Sequence, residues 1–136
     1  MVMTEAYLNA KQFYEEQWGN EEIKIHSACV IDICKNASIN LKLNTVIFDI
    51  AGWIHDIGRK DNEERHHEIG LTYLDTFLQK YSEYNSIKDE ISDCILNHRT
   101  SQKPTTPYGK IMRLADKLSF YHKDMIEYSN KKLASK

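Results

Sequence analysis

A chain of 136 residues has the length of one domain, and 18 Lys+Arg against 20 Asp+Glu leave a net charge of −2, which excludes a strongly basic nucleic-acid binder. At 41% hydrophobic and 28% charged residues, disorder and fibrous repeats are excluded as well. Five Gly and two Pro are too few for a turn-rich all-β fold. Cys29, Cys34 and Cys94 are an odd set without a C-x-x-C, as suits a reducing compartment. Met1 to Glu5 lacks a signal-peptide pattern, and the apolar run Leu43–Ile54 is short and broken by Asn44 and Asp49. The expectation is a cytoplasmic protein with no membrane span.

Helical spacing dominates the chain from its start. Tyr7, Ala10, Tyr14 and Trp18 form one stripe, which Gly19 can end. Asn20 can cap a second helix from Glu21 to about Asn36, with Ile23, His26, Val30, Ile33 and Ala37 on one face. Asn44 can cap a third, almost wholly apolar helix through Ile54, which should be buried on most sides. Gly58 and the charged stretch Arg59–Glu64 end it. Asn62 can open a long fourth helix through Gly70, Leu74, Phe77 and Tyr81. Ser86 and Asp89 have the spacing of a capping box for a fifth, whose face carries Ile87, Ile91, Cys94, Ile95 and His98. Pro104 and Pro107 mark a loop before a sixth, with Ile111, Met112, Ala115, Leu118 and Phe120. The polar tail, residues 131–136, is expected to fray. The reading is all-α: a single domain over 1–136 with five to seven helices.

Polar residues interrupt the apolar faces. His26 and His98 lie within apolar stripes, His55-Asp56 ends the most apolar helix, and Asp116 sits one turn from both Met112 and Phe120. Each alone has an ordinary explanation. A core histidine can be satisfied by hydrogen bonds, and Asp116 can pair with Arg113. A buried carboxylate needs a cationic partner, and a divalent metal would satisfy all of these residues together. Adjacent ligands on a regular helix point about 100° apart. His55 and Asp56 can therefore share one ion only where the helix unwinds, and Gly58 offers that freedom.

The segment Ala51-Gly52-Trp53-Ile54-His55-Asp56-Ile57-Gly58-Arg59 resembles the signature of the HD-domain superfamily of metal-dependent phosphohydrolases. His26 matches its first motif histidine, and Ala115-Asp116-Lys117-Leu118 resembles its closing aspartate motif. The motif-bearing region spans about residues 20–128. The resemblance implies an HD-type helical bundle with a metal held by His26, His55, Asp56 and Asp116. Some members hold a second metal through two more histidines. His66-His67-Glu68-Ile69-Gly70 resembles the segment that points to His66, and Ile95-Leu96-Asn97-His98 the one that points to His98. Periodicity leaves His66 and His67 about 50° to either side of the fourth helix's stripe. Family spacing favours His66, with His67 solvated or supporting. The chain lacks the second histidine and Gly-Tyr-Pro of cyclic-dinucleotide phosphodiesterases, and the Glu-Asp dyad of alarmone hydrolases. Its pattern most resembles the small dinuclear HD hydrolases, which include dinucleoside tetraphosphate hydrolases.

Imidazole and carboxylate donors without thiolate suit Fe, Mn, Co, Ni or Zn, as one or two ions, with Mg possible. The cysteines are expected to be packing residues. In a dinuclear site Asp56 would bridge the ions. The function expected is metal-activated attack of water on a small phosphate ester, such as a nucleotide, with no stable nucleic-acid partner. Arg59 and Lys117, each beside a proposed ligand, are the leading cations for the phosphate and join Asp56 as catalytic candidates. Lys60, Arg99 and Lys103 follow, with Asn97 and His122 as weaker contacts. Tyr73 reads as core. Trp18 and Tyr108 are candidates for a dimer contact, although the oligomeric state is not legible. Two other readings stand beside this one. The same ligand set occurs in mixed-valent di-iron HD oxygenases, and an HD fold can serve as a non-catalytic nucleotide-binding sensor.

Overall fold

The computed structural model describes residues 3–99 and 101–135, and these contain helices and no strand. The seven α-helices among them are α1 (Glu5–Gln17), α2 (Glu21–Ala37), α3 (Val46–Ile54), α4 (His66–Lys80), α5 (Lys88–Leu96), α6 (Pro107–Leu118) and α7 (Lys123–Ala134). Short 3₁₀ turns follow α3 (Ile57–Lys60), α4 (Ser82–Ile87) and α6 (Ser119–Tyr121). None of these helices is long and apolar enough to cross a membrane.

The most apolar helix is the central one: every α3 residue from Ile47 to Ile54 is buried. It packs against α1, α2 and α5, while α6 lies across α2 and α5. Trp53 meets Tyr7 edge-on at 5.6 Å, and Phe13 meets Phe77 at 5.4 Å. Asp49, also on α3, is fully buried. Lys35 Nζ stands 2.5 Å from its carboxylate, and Thr4 donates to it at 2.7 Å. A buried charge here has a protein partner, as burial requires.

The helix starts follow cap chemistry in part. Asn20 accepts from the Ile23 N–H and Thr106 from the Gly109 N–H, with Pro107 in the first turn. Gly19, at φ 69°, ends α1 as expected. Elsewhere the expectations need correction. Asn62 caps only a turn, accepting from Arg65 N–H, and α4 begins at His66. Ser86 and Asp89 form no capping box, because Ser82–Ile87 is a 3₁₀ turn that runs directly into α5. The chain leaves α6 at Leu118, which puts Phe120 in a 3₁₀ turn and exposes it. The polar tail begins within a helix, since α7 continues to Ala134, and Lys136 lies outside the described residues. Trp18 and Tyr108 are half-buried against the core, and Tyr108 Oη accepts from the Asn44 N–H.

Asp93 on α5 ties down the loop that aims α6. It accepts from Thr106 N–H at 2.9 Å, Thr106 Oγ1 at 2.6 Å, Thr105 N–H at 3.1 Å and Asn97 Nδ2 at 2.8 Å. Burial works against its charge, but these bonds outweigh burial and hold its pKa below the usual carboxylate range. Asp93→Ala is expected to cost about 3 kcal/mol, because donors from the loop lose a buried acceptor. A depressed folded pKa means the stabilisation is full above about pH 4 and is lost as pH falls through the folded value. Urea midpoints of wild type and Asp93→Ala should therefore differ at pH 6 and converge toward pH 2. A constant gap would remove this account.

Candidate metal centre

Three elements deliver four polar side chains to one buried point. α2 presents His26 and α6 presents Asp116. The chain after α3 presents His55 and Asp56. The helix unwinds there as an adjacent pair requires, since Asp56 has φ −107° and ψ 0°, outside regular helix. Gly58 does not supply the freedom through an unusual φ, because among the described residues the only positive-φ glycine is Gly19. It is needed instead for close approach: a Cβ on Gly58 would lie 2.5 Å from the His66 carbonyl oxygen.

One donor atom from each of His26, His55, Asp56 and Asp116 lies within 4.8 Å of the others. His26 Nε2 stands 2.9 Å from Asp116 Oδ1 and 3.1 Å from Asp56 Oδ2. His55 Nε2 stands 3.3 and 3.2 Å from the same two atoms. Asp116 does not pair with Arg113, which donates to the Gln102 carbonyl instead. A second group, Asp56, His66 and His98, meets the same span limit. His66 Nε2 is 3.4 Å and His98 Nε2 3.8 Å from Asp56 Oδ1. Asp56 thus turns one oxygen to each group.

The far side of every ring is fixed. Nδ1–H of His55 donates to the Gly52 carbonyl at 2.7 Å, that of His66 to Glu63 at 2.7 Å and that of His98 to Ile95 at 2.6 Å. Ser119 Oγ donates to the Asp116 carbonyl and accepts from His26 Nδ1–H at 2.8 Å. Carbonyls only accept, so each Nδ1 carries hydrogen and each Nε2 points inward, where it offers a lone pair to a metal whenever it is unprotonated. Sequence reasoning missed Ser119. Its signal was its place three residues after Asp116, within helical reach of the same site.

Such a pocket requires positive charge. His66 Nε2 and His98 Nε2 face each other at 2.9 Å, two lone pairs in direct opposition unless a cation or proton lies between them. Asp56 Oδ2 is buried without a well-formed hydrogen bond. Burial pushes His26 and His55 down, but Asp56 and Asp116 outweigh it and raise both, His55 to about 10. Burial disfavours charge on Asp56 and Asp116, yet the imidazoles hold both carboxyls well below the usual range. Burial and the charge of His55 push His98 down to about 3. The site can be satisfied by protons on His26 and His55 or by metal cations, and its nitrogen and oxygen donors fit divalent metal.

His67 is not solvated. It is buried, and its Nδ1 accepts from Arg99, which also donates to the Glu64 carbonyl. Arg59 is the cation that reaches the clusters, with Nε on Asp56 Oδ1 at 2.9 Å and a terminal nitrogen paired with Glu63. Lys60 turns away to the Gln17 carbonyl and the Tyr73 ring. Lys117 is exposed and lines a different groove with Pro104, Lys110, Arg113 and Leu114, so the structure does not bring it to the clusters. Lys103 is exposed, and Asn97 is committed to Asp93. His122 gives Nε2–H to Asp32 and accepts at Nδ1 from the Asp124 N–H, which leaves it no lone pair for a metal near Cys29. All three cysteines are free and buried.

The first cluster opens to solvent through a cavity of about 270 Å³ lined by Glu22, Ile23, His26, Asp56, Arg59, Asp116, Phe120 and Met125.

Comparison with known proteins agrees with this arrangement. The family model for the HD domain matches residues 23–121, a span that holds every residue of both clusters. The chain is also similar to a deoxyguanosinetriphosphate triphosphohydrolase-like protein of Caldanaerobacter subterraneus subsp. tengcongensis, at 25% identity over 114 residues. That match covers 74% of this chain and 33% of the relative, so the chain spans about a third of that protein's length. No solved structure matches. With that span of family match, the chain belongs to the HD domain family.

Proposed function

We propose that this protein is a metal-dependent phosphohydrolase that uses water to cleave a nucleotide or another small phosphate ester. The observation that carries the reading is the convergence of four inward Nε2 lone pairs on two carboxylates, with every Nδ1 tied back. His26, His55, Asp56 and Asp116 would hold one ion. Asp56, His66 and His98 would hold a second where two bind. Fe, Mn, Co, Ni or Zn suit these donors, with Mg as a weaker fit. Bound metal lowers the pKa of a coordinated water and offsets charge on phosphoryl oxygens.

The chain's own residues do the rest. The carbonyls of Gly52, Glu63 and Ile95 and the hydroxyl of Ser119 fix the imidazole tautomers and orientations. Arg59 orients Asp56 through Nε and lines the cavity, where its guanidinium would bind a phosphoryl oxygen. Lys117 has no part in this scheme, given its place in another groove. The relative named a triphosphohydrolase-like protein supports a nucleotide substrate. A retired sensor site would be expected to have lost a ligand, and the full donor set speaks against that reading.

Metal analysis of protein purified without chelator, followed by a screen of nucleotides and phosphate esters with Mn, Fe, Co and Mg, tests the proposal. One to two equivalents of metal and metal-dependent phosphate release are expected. A protein that binds no divalent metal would sink the reading. So would an iron protein that consumes oxygen and releases no phosphate, the result expected of a di-iron oxygenase.

A further inference from the structure

The cavity over the first cluster has two chemically different kinds of lining. Asp56, Asp116, His26 and Arg59 are ionic or polar, while Ile23, Met125 and Phe120 are apolar. Phe120 is the unusual member. It is a large aromatic with 63% of its surface exposed, beside the most polar point of the fold. One face of its ring stacks on His26, with centroids 5.7 Å apart and planes 29° apart. Its position is set by the preceding residue, since the buried Ser119 is held by both His26 and the Asp116 carbonyl. The ring is therefore anchored at the rim of the pocket, one helical turn beyond Asp116, with much of its surface in water.

An exposed ring at a fixed site offers a flat apolar surface at little ordering cost. Resting on the phosphohydrolase reading above, we propose that Phe120 is a specificity-determining platform on which the planar ring of the substrate stacks. The ester bound here then has an anionic end for Arg59 and a flat aromatic end for Phe120. A nucleoside monophosphate has both; a sugar phosphate has only the first. Glu22, also on the cavity wall, can accept a hydrogen bond from a ring amino group or a sugar hydroxyl.

The test compares a nucleoside 5′-monophosphate with ribose 5-phosphate, which keeps the same phosphate and sugar and lacks the ring. Stacking on an aromatic side chain is worth roughly 5-fold to more than 100-fold in binding. Phe120→Ala should lower the nucleotide-to-ribose-phosphate ratio of kcat/KM about ten-fold, mainly through the nucleotide KM. Phe120→Trp should restore it. Calorimetric titration of the metal-loaded protein with the non-hydrolysable phosphonate analogue of each ester should show the same ratio change without turnover. An equal loss on both esters would overturn the proposal, because Phe120 would then act only through His26. An unchanged ratio, or a change confined to oligomeric state, would overturn it too. If wild type hydrolyses neither ester, the titrations alone decide whether Phe120 recognises the ring, and the wider screen of nucleotides and phosphate esters decides the hydrolase reading separately.

Discussion

Asp56→Ala is expected to abolish phosphate release, by more than about 10³-fold, and to remove bound metal while the helical circular dichroism persists. Losing one oxyanion donor costs roughly 10² to 10³ in rate. Asp56 is a larger loss, because its two oxygens serve both clusters and hold Arg59. The fold should survive, since the helices around it are set by the apolar packing of α3, which does not depend on this carboxylate. A second readout needs no activity. In metal-stripped protein His26 and His55 have raised pKa values, so their charged forms stabilise the fold fully below about pH 6.5, and this is lost as pH rises through the folded values. Asp56 and Asp116 have depressed values, so their contribution is full above about pH 4 and fades as pH falls. Metal-stripped wild type should be most stable between these limits, and Asp56→Ala should flatten the decline on the alkaline side. Metal competes with the same protons, so its affinity should rise with pH. Denaturant midpoints at pH 6 and 9, with and without metal, check both points. A folded Asp56→Ala protein with full activity would defeat the metal-centre reading.

The parts of the site that could be read from sequence are those where polarity broke a period. His26 in the α2 stripe, the pair that ends α3 and Asp116 between apolar turns all stood out because buried charge is costly. Their spacing predicted convergence, and the structure brings the four together. His66 and His67 could not be separated by periodicity, since each lies about 50° from the stripe. The distinction is tertiary: His66 faces Asp56 and His98, and His67 faces Arg99. Lys117 shows the opposite error. Adjacency to Asp116 in sequence turns it about 100° around α6, into another groove. Phe120 was assigned to the apolar stripe because a helical period was carried past Leu118. The 3₁₀ turn there rotates the ring out of the stripe and over His26. Asp49 was legible only as a break in an apolar run. Its partners, Lys35 and Thr4, come from two other elements and could not be paired by spacing.

Gly58→Ala is the second large effect expected, and it separates close approach from chemistry. A methyl group at Gly58 would meet the His66 carbonyl oxygen at 2.5 Å and the His66 Cα at 3.0 Å. Both are backbone atoms, so no side chain can swing aside. The 3₁₀ turn Ile57–Lys60 and the start of α4 must move apart. Overpacking of this kind costs about 1–3 kcal/mol, and a rigid backbone contact belongs at the upper end. The shift falls on the residue that faces Asp56 and His98. A displacement of about 1 Å can cost about 10²-fold in rate when it misplaces a reacting group. His26, His55 and Asp116 are held from other elements and should keep their positions. Gly58→Ala should therefore lose metal at the His66–His98 side first, with the first equivalent retained and activity about 10²-fold down. Gly19→Ala is the contrast. Its φ of 69° strains an alanine by roughly 1–2 kcal/mol, but it lies at the end of α1 and touches neither cluster. Both variants should thus lower the urea midpoint, Gly58→Ala somewhat more, but they should be far apart in metal stoichiometry. If Gly58→Ala holds as much metal as Gly19→Ala and works as fast, the close approach of the turn to α4 is not what sets the second cluster.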